Sequence, residues 1–319
     1  MGEIYVVRFS DISQNIKQGL LESLKRFIGI KGHPFVFNFS PKGVQWNNPQ
    51  KCSFWKNYSE FKNFITQKAT NKFESDFWKR IKSQPMKTLI LGANSDIGKA
   101  IAIELKNEEL ILASRNIKAL EKFTGDNQLN AQTVHFDALD YDSHQVFFDT
   151  NKTINKVVCV FGYLGSHEKA KEDFAEAKKI IETNYLGAVS ILDKYALFFK
   201  EEGKGQIIGI SSVAADRGRQ SNYYYGSAKA GFESYLSGLR NRLHSSGVNV
   251  LTVKPGFVRT KMIEGIDTPS FLTVQPKQVA QAIVKSSKKG KNIIYVSGKW
   301  YWVMSIIKTI PEFIFKKLN

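Results

Sequence analysis

The amino-acid sequence predicts an α/β protein with a doubly wound parallel sheet and a smaller α/β module ahead of it. From residue 86 onward, short apolar runs alternate with segments of helical periodicity. The runs are apolar throughout instead of at every second position, which is typical of parallel strands covered by helices on both faces. A glycine turn follows the first run, where such sheets bind ligands.

The series begins with MKTLILGAN at 86–94, an apolar run that ends in a turn, and DIGKAIAIEL at 96–105 then has the periodicity of a helix. The same alternation continues as far as Gly256. Further strands are predicted within 109–115, 131–140, 154–165, 205–212 and 249–256, and helices within 116–123, around 170–200 and from about 224.

The first 85 residues do not continue this series. They contain predicted strands at 3–9 and 33–39 and predicted helices at 14–27 and 58–68, in the order βαβα, and Pro85 marks a boundary. The role of this module is open between a docking or stabilising appendage and a second catalytic or ligand-binding activity. We therefore predict a small α/β module at 1–85, a sheet domain at 86–298 and an amphipathic tail at 299–319.

The composition limits the class of protein. Of the 319 residues, 42% are hydrophobic, which is enough for a buried core. Cys52 and Cys159 are far apart and have no partner at metal-ligand spacing, which argues against a disulfide framework or a metal site. The amino terminus has no secretory pattern and no apolar stretch is long enough to span a bilayer, so we expect a cytoplasmic protein.

The net charge of +17 favours an anionic partner: nucleic acid, an acidic membrane surface or a phosphorylated substrate. The charge alone does not choose among them. We find no nucleic-acid-binding motif in the sequence, so we expect no nucleic-acid partner.

The turn GANSDIG at 92–98 lies between the first strand and the first helix of the sheet. In that position, backbone amides and the helix N-terminus can meet a pyrophosphate. Gly92 and Gly98 are six residues apart, and Asp96 occupies the place where a third glycine would complete the dinucleotide-binding pattern. The predicted sheet is therefore of the Rossmann-like type, with a nicotinamide cofactor at this turn.

The end of the second strand favours NADP over NAD. The residues there are Ala113, Ser114 and Arg115, with no carboxylate to hold the ribose hydroxyls of NAD, and Arg115 would accommodate the extra phosphate. Arg115 could also be an ordinary surface residue at a helix start. Asp137, after the third strand, is a candidate for the adenine side and for a helix cap, and both roles are compatible.

The stretch RQSNYYYGSAKAGF at 219–232 supplies the candidate catalytic pair. Tyr225 and Lys229 are four residues apart and share one helix face, whereas Tyr223 and Tyr224 are displaced around the helix and are expected to be packing or pocket wall. A nearby ammonium would lower the pKa of Tyr225 and let the phenol transfer a proton near neutral pH. Ser212, 13 residues earlier, ends a strand at the ligand-binding edge of the sheet.

Asn184 on the long helix and KPGFVRT at 254–260 extend this arrangement. With these residues, the sequence resembles the short-chain dehydrogenase/reductase family over about 86–298. The resemblance implies an NAD(P)-dependent oxidoreductase acting on CH–OH groups. In it, Tyr225 is the general acid, Lys229 binds the nicotinamide ribose and tunes Tyr225, Ser212 orients the carbonyl and Asn184 supports a proton relay.

The cofactor-binding residues that this resemblance implies, with those of the glycine turn and the strand ends, are Gly92, Asn94, Ser95, Asp96, Ile97, Gly98, Ser114, Arg115, Asp137, Ala138, Phe161, Gly162, Tyr225, Lys229, Pro255, Gly256, Val258 and Thr260. The sequence departs from the family twice. Asp96 replaces the middle glycine, and CVFG at 159–162 replaces the family's N-N-A-G stretch.

Segments outside those motifs resemble one subgroup of the family, the reductases that act on decaprenylphosphoryl-2-keto-pentose as the reductase component of the decaprenylphosphoryl ribose 2-epimerase system. They include HFDALDYDSH, VFGYLG, ETNYLGAVS and the tail YWVMSIIKTIPEFIFKKLN. This resemblance implies a keto group on a polyprenyl-phosphate-linked sugar as substrate, cell-envelope polysaccharide synthesis and an oxidase partner in an epimerase pair. It also implies NADH, in conflict with Arg115, and we favour NADP.

Two features of the sequence are consistent with a lipid phosphate. The tail mixes aromatic and aliphatic residues with lysines, which suits either an interfacial membrane helix or a helix packed on the protein itself. Arg217, Arg219 and Arg259 flank the predicted site and are candidates for binding the substrate phosphate.

The alternatives are a reductase of another lipid or sugar ketone and a non-catalytic nucleotide-binding scaffold. The family resemblance favours a homo-oligomer, and the membrane-helix interpretation of the tail would add peripheral contact with the inner face of the plasma membrane.

Overall fold

The chain divides into two compact units, Met1–Gln84 and Pro85–Asn319. The computed structural model describes the backbone of two strands in the first unit, 37–40 and 43–46, and residues 86–318 of the second. Strands β1 (Phe37–Ser40) and β2 (Gly43–Trp46) form an antiparallel pair in which Phe37 lies opposite Trp46. β1 overlaps the predicted strand at 33–39, and β2 was not predicted. The predicted strand at 3–9, the predicted helices at 14–27 and 58–68, and Cys52 lie outside the described residues.

The second unit contains a sheet of seven parallel strands, as the apolar runs predict. The strand order is β5-β4-β3-β6-β7-β8-β9. The order reverses between β3 and β6, which places a crevice at their carboxyl ends. The strands are β3 (Lys87–Leu91), β4 (Glu109–Ser114), β5 (Ala131–His135), β6 (Lys156–Cys159), β7 (Gly205–Ile210), β8 (Val248–Lys254) and β9 (Ile293–Tyr295).

Helices follow most strands and cover both faces of the sheet. They are α1 (Asp96–Glu104), α2 (Ile117–Asp126), α3 (Ser143–Asn151), α4 (His167–Glu172), α5 (Phe174–Ile181), α6 (Gly187–Glu202), α7 (Tyr223–Leu243), α8 (Pro276–Lys288), α9 (Gly298–Thr309) and α10 (Glu312–Phe315). On one face, Leu192 and Phe232 lie in a core contributed by α6 and α7, and on the other Ile101 and Ile283 lie in a core contributed by α1 and α8. Two separate cores explain why the strands are apolar throughout.

The long helix predicted around 170–200 is in fact three helices and a π-helical turn. Asp173 separates α4 from α5 and caps α5 by accepting from the N–H of Ala175 at 2.9 Å. Glu182–Leu186 form the π-helical turn between α5 and α6. Such turns insert a residue into a helix and often re-aim a side chain at a functional site. In this chain the turn carries Asn184.

The tail is helical and returns to the sheet. Trp300 and Met304 of α9 are buried against Val213 and Leu272, and the Trp300 indole N–H donates to the carbonyl of Leu272 at 3.0 Å. The sequence is compatible with two interpretations of this segment, a helix packed on the protein and an interfacial membrane helix. The inner side of α9 is packed on the protein. Across the described part of the chain, none of the helices has both the length and the apolar character required to span a bilayer.

Candidate active site

The glycine turn after β3 brings the backbone close to the end of β6 and to the start of α1. Gly92 has φ +87°, in the left-handed region, and a Cβ there would lie 2.6 Å from the backbone nitrogen of Phe161. A Cβ on Gly98 would lie 2.8 Å from the carbonyl oxygen of Gly92. Side chains at these positions would force the turn open, so both glycines are needed to keep the N-terminus of α1 accessible to a phosphate.

Two polar side chains hold this turn in place. Ser95 caps α1: its Oγ accepts from the N–H of Gly98 at 3.1 Å and donates to the Gly92 carbonyl at 2.9 Å. Asn94 donates to the Ser114 Oγ at 3.2 Å and to the Asn116 carbonyl at 2.9 Å.

The Oδ1 of Asn94 is buried and accepts no hydrogen bond from the described residues. A buried acceptor of this kind calls for a donor that the protein does not supply, such as a ligand hydroxyl. The turn therefore fits the pyrophosphate and a ribose of a dinucleotide. Ile97 packs partly into the core beneath it.

The ends of β4 and β5 form the outer part of this crevice. Ser114 is buried at the end of β4, and Arg115 beside it is exposed. The Asp137 carboxylate accepts from the N–H of Leu139 at 3.1 Å within a turn, and it is not the predicted helix cap because α3 begins only at Ser143 with Asp142 before it. The start of α6 approaches Ala138 closely, because a Cβ on Gly187 would lie 2.4 Å from the Ala138 carbonyl oxygen.

Asp96, which stands in place of the middle glycine, has a structural partner. Its Oδ2 accepts a hydrogen bond from the backbone N–H of Lys261 at 2.9 Å. The glycine turn is thereby connected to the loop after β8, which carries Pro255, Gly256, Val258 and Thr260. Gly256 is needed there because a Cβ would lie 2.0 Å from the indole of Trp300.

Asn184 and Lys229 meet around Gly162, at the end of β6. A Cβ on Gly162 would lie 2.8 Å from the Asn184 Oδ1 and 3.3 Å from the Lys229 Nζ. Asn184 is buried and donates to the carbonyls of Tyr163 at 2.6 Å and Ile180 at 2.8 Å. Its Oδ1 accepts from the N–H of Tyr163 at 3.2 Å. Gly162, the last residue of the CVFG stretch, therefore leaves the space in which these two side chains come close to each other.

Tyr163 is a positioning residue that the sequence analysis missed, since its backbone holds both polar atoms of the Asn184 amide. The only signal was its place directly after the departing CVFG stretch. The π-helical turn that aims Asn184 inward likewise left no periodicity to detect.

Ser212 lies close enough to Tyr225 for hydrogen bonding to the serine to lower the pKa of the phenol. Ser212 lies two residues past the end of β7, and its Oγ accepts from the N–H of Ala214 at 3.1 Å. Tyr225 lies in the first turn of α7, and Lys229, one turn further, is buried and donates to the Ile210 carbonyl at 3.0 Å. The Lys229 Nζ is 5.8 Å from the centre of the Tyr225 ring.

The pKa of Tyr225 is shifted upward, whereas the sequence analysis predicts that it is lowered. Burial raises it to about 12, an effect that the Ser212 hydrogen bond only partly offsets. The Lys229 Nζ donates to the Ile210 carbonyl at 3.0 Å. Burial lowers the pKa of Lys229 to about 8. Tyr225 is therefore a protonated phenol at neutral pH, the form required of a proton donor.

The neighbouring tyrosines lie elsewhere. Tyr223 is exposed and its ring centre is 4.6 Å from that of Tyr224, and both pack against His167 at 4.5 Å and 5.4 Å. Neither has a hydrogen bond to Ser212 among the described contacts. Only Tyr225 reaches the serine.

The arginines proposed for phosphate binding have different surroundings. Arg217 donates to the carbonyls of Ile307 at 2.7 Å and Ile310 at 2.6 Å, and to Glu312 at 2.8 Å. Arg219 donates to the Met304 sulfur at 3.2 Å. Both side chains are directed at the C-terminal helices, so the structure gives them a role in holding the tail. Arg259, after β8, is exposed.

The parallel sheet, the glycine turn at its reversal point and the serine, tyrosine and lysine at the same edge define a dinucleotide-dependent oxidoreductase. The comparison with known sequences specifies the family. The short chain dehydrogenase family matches residues 87–269. The chain belongs to the short-chain dehydrogenase/reductase family and is an NAD(P)-dependent oxidoreductase.

Two relatives illustrate the similarity in sequence. An uncharacterized oxidoreductase of Mycobacterium tuberculosis is 34% identical over 239 residues, which cover 72% of this chain and 96% of the relative. An uncharacterized oxidoreductase from the mprA 5' region of Streptomyces coelicolor is 35% identical over 243 residues, which cover 73% of this chain and 96% of the relative.

Solved structures share the fold. A short chain dehydrogenase from Burkholderia cenocepacia in complex with NADP has a TM-score of 0.65 at 18% identity, over 73% of this chain and 97% of that one. A short-chain dehydrogenase from Sphingobium yanoikuyae in complex with NADPH has a TM-score of 0.62 at 19% identity, over 73% of this chain and 96% of that one.

Replacement of Tyr225 by Phe is expected to lower kcat for ketone reduction by about 10²- to 10⁴-fold, because the proton donor is lost while the ring remains. Steady-state oxidation of NAD(P)H measures the effect. Tyr223→Phe and Tyr224→Phe are matched controls and should retain activity within a few-fold. A comparable loss in either control would contradict the assignment of the acid to Tyr225.

The rate should also fall as the pH rises through about 8, because Lys229 loses its proton there in the free enzyme. The quantity to measure is kcat/KM for the cofactor, which reports pKa values of the free enzyme. In a Lys229→Arg variant the charge persists across this pH range, so the activity that remains should not fall as the pH rises through about 8. If the variant showed the same fall in kcat/KM, the titrating group would be a residue other than Lys229.

Proposed function

We propose that this oxidoreductase reduces the keto group of a sugar carried on a polyprenyl phosphate, with conversion of a 2-keto pentose to the arabinose epimer as the type reaction. The product would serve cell-envelope polysaccharide synthesis. The observation that carries the reduction is that Ser212, a Tyr225 phenol kept protonated by burial and the buried Lys229 lie together at the ligand edge of the sheet. The sugar-lipid substrate is supported by the sequence segments that resemble the reductases of that subgroup.

Each side chain then has a defined part in the reaction. The glycine turn with Gly92 and Gly98 would hold a nicotinamide cofactor, whose chemistry when bound would be hydride donation to the carbonyl carbon. The Ser212 hydroxyl and the Tyr225 phenol donate to the carbonyl oxygen, and Tyr225 transfers its proton as the alkoxide forms. Lys229, whose ammonium is already held at the edge of β7 by the Ile210 carbonyl, would bind the ribose of the cofactor.

Asn184 would keep Lys229 in place and support proton supply to the phenol. Its amide is fixed by the backbone of Tyr163 and its Oδ1 approaches the same point beside Gly162 as the Lys229 Nζ.

The substrate phosphate is assigned to Arg259, with Lys261 beside it. Both are exposed on the loop after β8, which is tied to the glycine turn through Asp96. Arg217 and Arg219 are less suitable because their guanidinium groups are directed to the C-terminal helices. A planar guanidinium binds a phosphate in bidentate fashion, which would hold the lipid-linked end of the sugar.

Assays with a polyprenylphosphoryl 2-keto pentose should show oxidation of NAD(P)H that is lost in Tyr225→Phe. The comparison substrates are the same keto pentose without the lipid phosphate and a 3-ketoacyl thioester. Since binding energy from the phosphate contributes to turnover, we expect the lipid-linked sugar to have the highest kcat/KM. Tyr225-dependent reduction of the thioester without reduction of the lipid-linked sugar would overturn the proposed substrate while leaving the oxidoreductase assignment intact.

The cofactor preference should follow Arg115, which is exposed beside Ser114 at the end of β4. We propose that NADPH is preferred and that Arg115→Asp lowers kcat/KM for NADPH by about tenfold to a hundredfold, the value of a lost charge-assisted hydrogen bond. The introduced carboxylate should at the same time improve use of NADH. Arg115→Lys is the control and should keep the order of preference. A wild-type preference for NADH would contradict this proposal.

A further inference from the structure

The C-terminal segment Gly298–Leu318 has one side anchored on the protein and another side that is apolar and exposed. The anchored side of α9 consists of Trp300, which is 3% exposed, and Met304, which is fully buried. Arg217 fixes the end of the segment, with its guanidinium 3.7 Å from the centre of the Phe315 ring and bonded to Glu312. The position of the segment is therefore set by internal packing.

The outer side of α9 exposes large apolar side chains. Trp302 is 69% exposed and Ile306, one turn later, is 65% exposed. Lys299 lies one turn before Trp302 and contacts the loop 270–272, where it donates to the Phe271 carbonyl at 3.3 Å and lies 6.0 Å from the ring centre. Phe271 is itself 66% exposed. Phe271, Lys299, Trp302 and Ile306 thus form one exposed patch.

The rest of the segment repeats this combination. Phe313, Ile314 and Leu318 are exposed large apolar residues, and Lys308, Lys316 and Lys317 are exposed cations. The segment contains four lysines and a single acidic residue, Glu312, whose carboxylate is paired with Arg217. The exposed surface of the segment is therefore both apolar and positively charged.

We propose that this segment docks on the surface of an anionic lipid bilayer. Tryptophan and aliphatic side chains insert at the boundary between headgroups and acyl chains, and lysines reach the headgroup phosphates. The net charge of +17 favours the same surface.

A second copy of the chain is a poorer occupant of this surface. A two-fold interface would bring two copies of this cationic segment together with its one acidic residue, Glu312, already paired with Arg217, and lysine is depleted in protein interfaces.

The helix that carries the docking surface adjoins the active site with its opposite, inner side. Trp300 and Met304, on the inner side of α9, pack against Val213, the residue after Ser212, and Gly256 lies against the Trp300 indole. A substrate anchored in the bilayer by its polyprenyl chain would therefore find the catalytic edge next to the membrane. This last step rests on the proposed substrate, whereas docking itself does not require it.

The test is co-sedimentation of the full chain with sucrose-loaded vesicles of phosphatidylcholine alone or of phosphatidylcholine with phosphatidylglycerol. We expect binding to the anionic vesicles that weakens with salt and is lost in the double variant Trp302→Ala/Ile306→Ala. Removal of Lys308, Lys316 and Lys317 as Gln should lower the partition coefficient by about fivefold for each lysine. The vesicles contain no keto sugar, so the result is independent of the substrate assay.

Matched controls are Leu197→Ala, at a 55% exposed position on α6, and the triple variant Lys288→Gln/Lys289→Gln/Lys291→Gln at exposed positions next to α8. Both should bind as the wild type does. Retained circular dichroism and NAD(P)H oxidation would show that the Trp302 and Ile306 variant is folded. Docking is overturned if anionic vesicles bind no protein, if both sets of variants bind equally, or if sedimentation velocity shows that the Trp302 and Ile306 variant dissociates an oligomer.

Discussion

The close approach of α7 to the end of β7 is the constraint on which the active site depends. Two glycines make it possible: a Cβ on Gly209 would lie 2.4 Å from a Leu236 methyl, and a Cβ on Gly226 would lie 2.9 Å from the Ala214 carbonyl oxygen. At this separation Tyr225 reaches Ser212, and Lys229 reaches the Ile210 carbonyl. The same closeness excludes water from both groups, and this desolvation raises the pKa of the phenol and lowers that of the ammonium.

Most of the fold and the placement of Tyr225 and Lys229 on one helix beside the end of β7 could be predicted from the sequence because they depend on local patterns. Apolar runs mark strands buried on both faces, and a four-residue step selects Tyr225 from three adjacent tyrosines. What could not be predicted depends on contacts between distant segments. The direction of the Tyr225 pKa shift is one case, because sequence spacing places Lys229 nearby without showing how completely burial removes the phenol from water.

Arg217 and Asn184 illustrate the same limit. A cation near a predicted site suggests a phosphate ligand, yet the Arg217 guanidinium bonds to carbonyls of Ile307 and Ile310, about ninety residues later in the chain. Asn184 was found from its motif, but the π-helical turn that aims it inward has no signature in the hydrophobic pattern. Asp96, where the chain departs from the family pattern, is a case in which a distant contact gives a role to an unexpected residue. It replaces a glycine, and its carboxylate accepts a hydrogen bond from Lys261 that joins the turn to the far side of the crevice.

The packing of Trp300 and Met304 beside Ser212 also has a consequence for the order in which the protein is made. The glycine turn, Ser212, Tyr225, Lys229 and the loop after β8 all precede α9 in the chain and are synthesised before it. The wall beside Val213 is missing until that helix arrives. The site therefore lacks this wall until α9 has been synthesised and has packed, and a chain truncated ahead of α9 would expose Val213 to solvent.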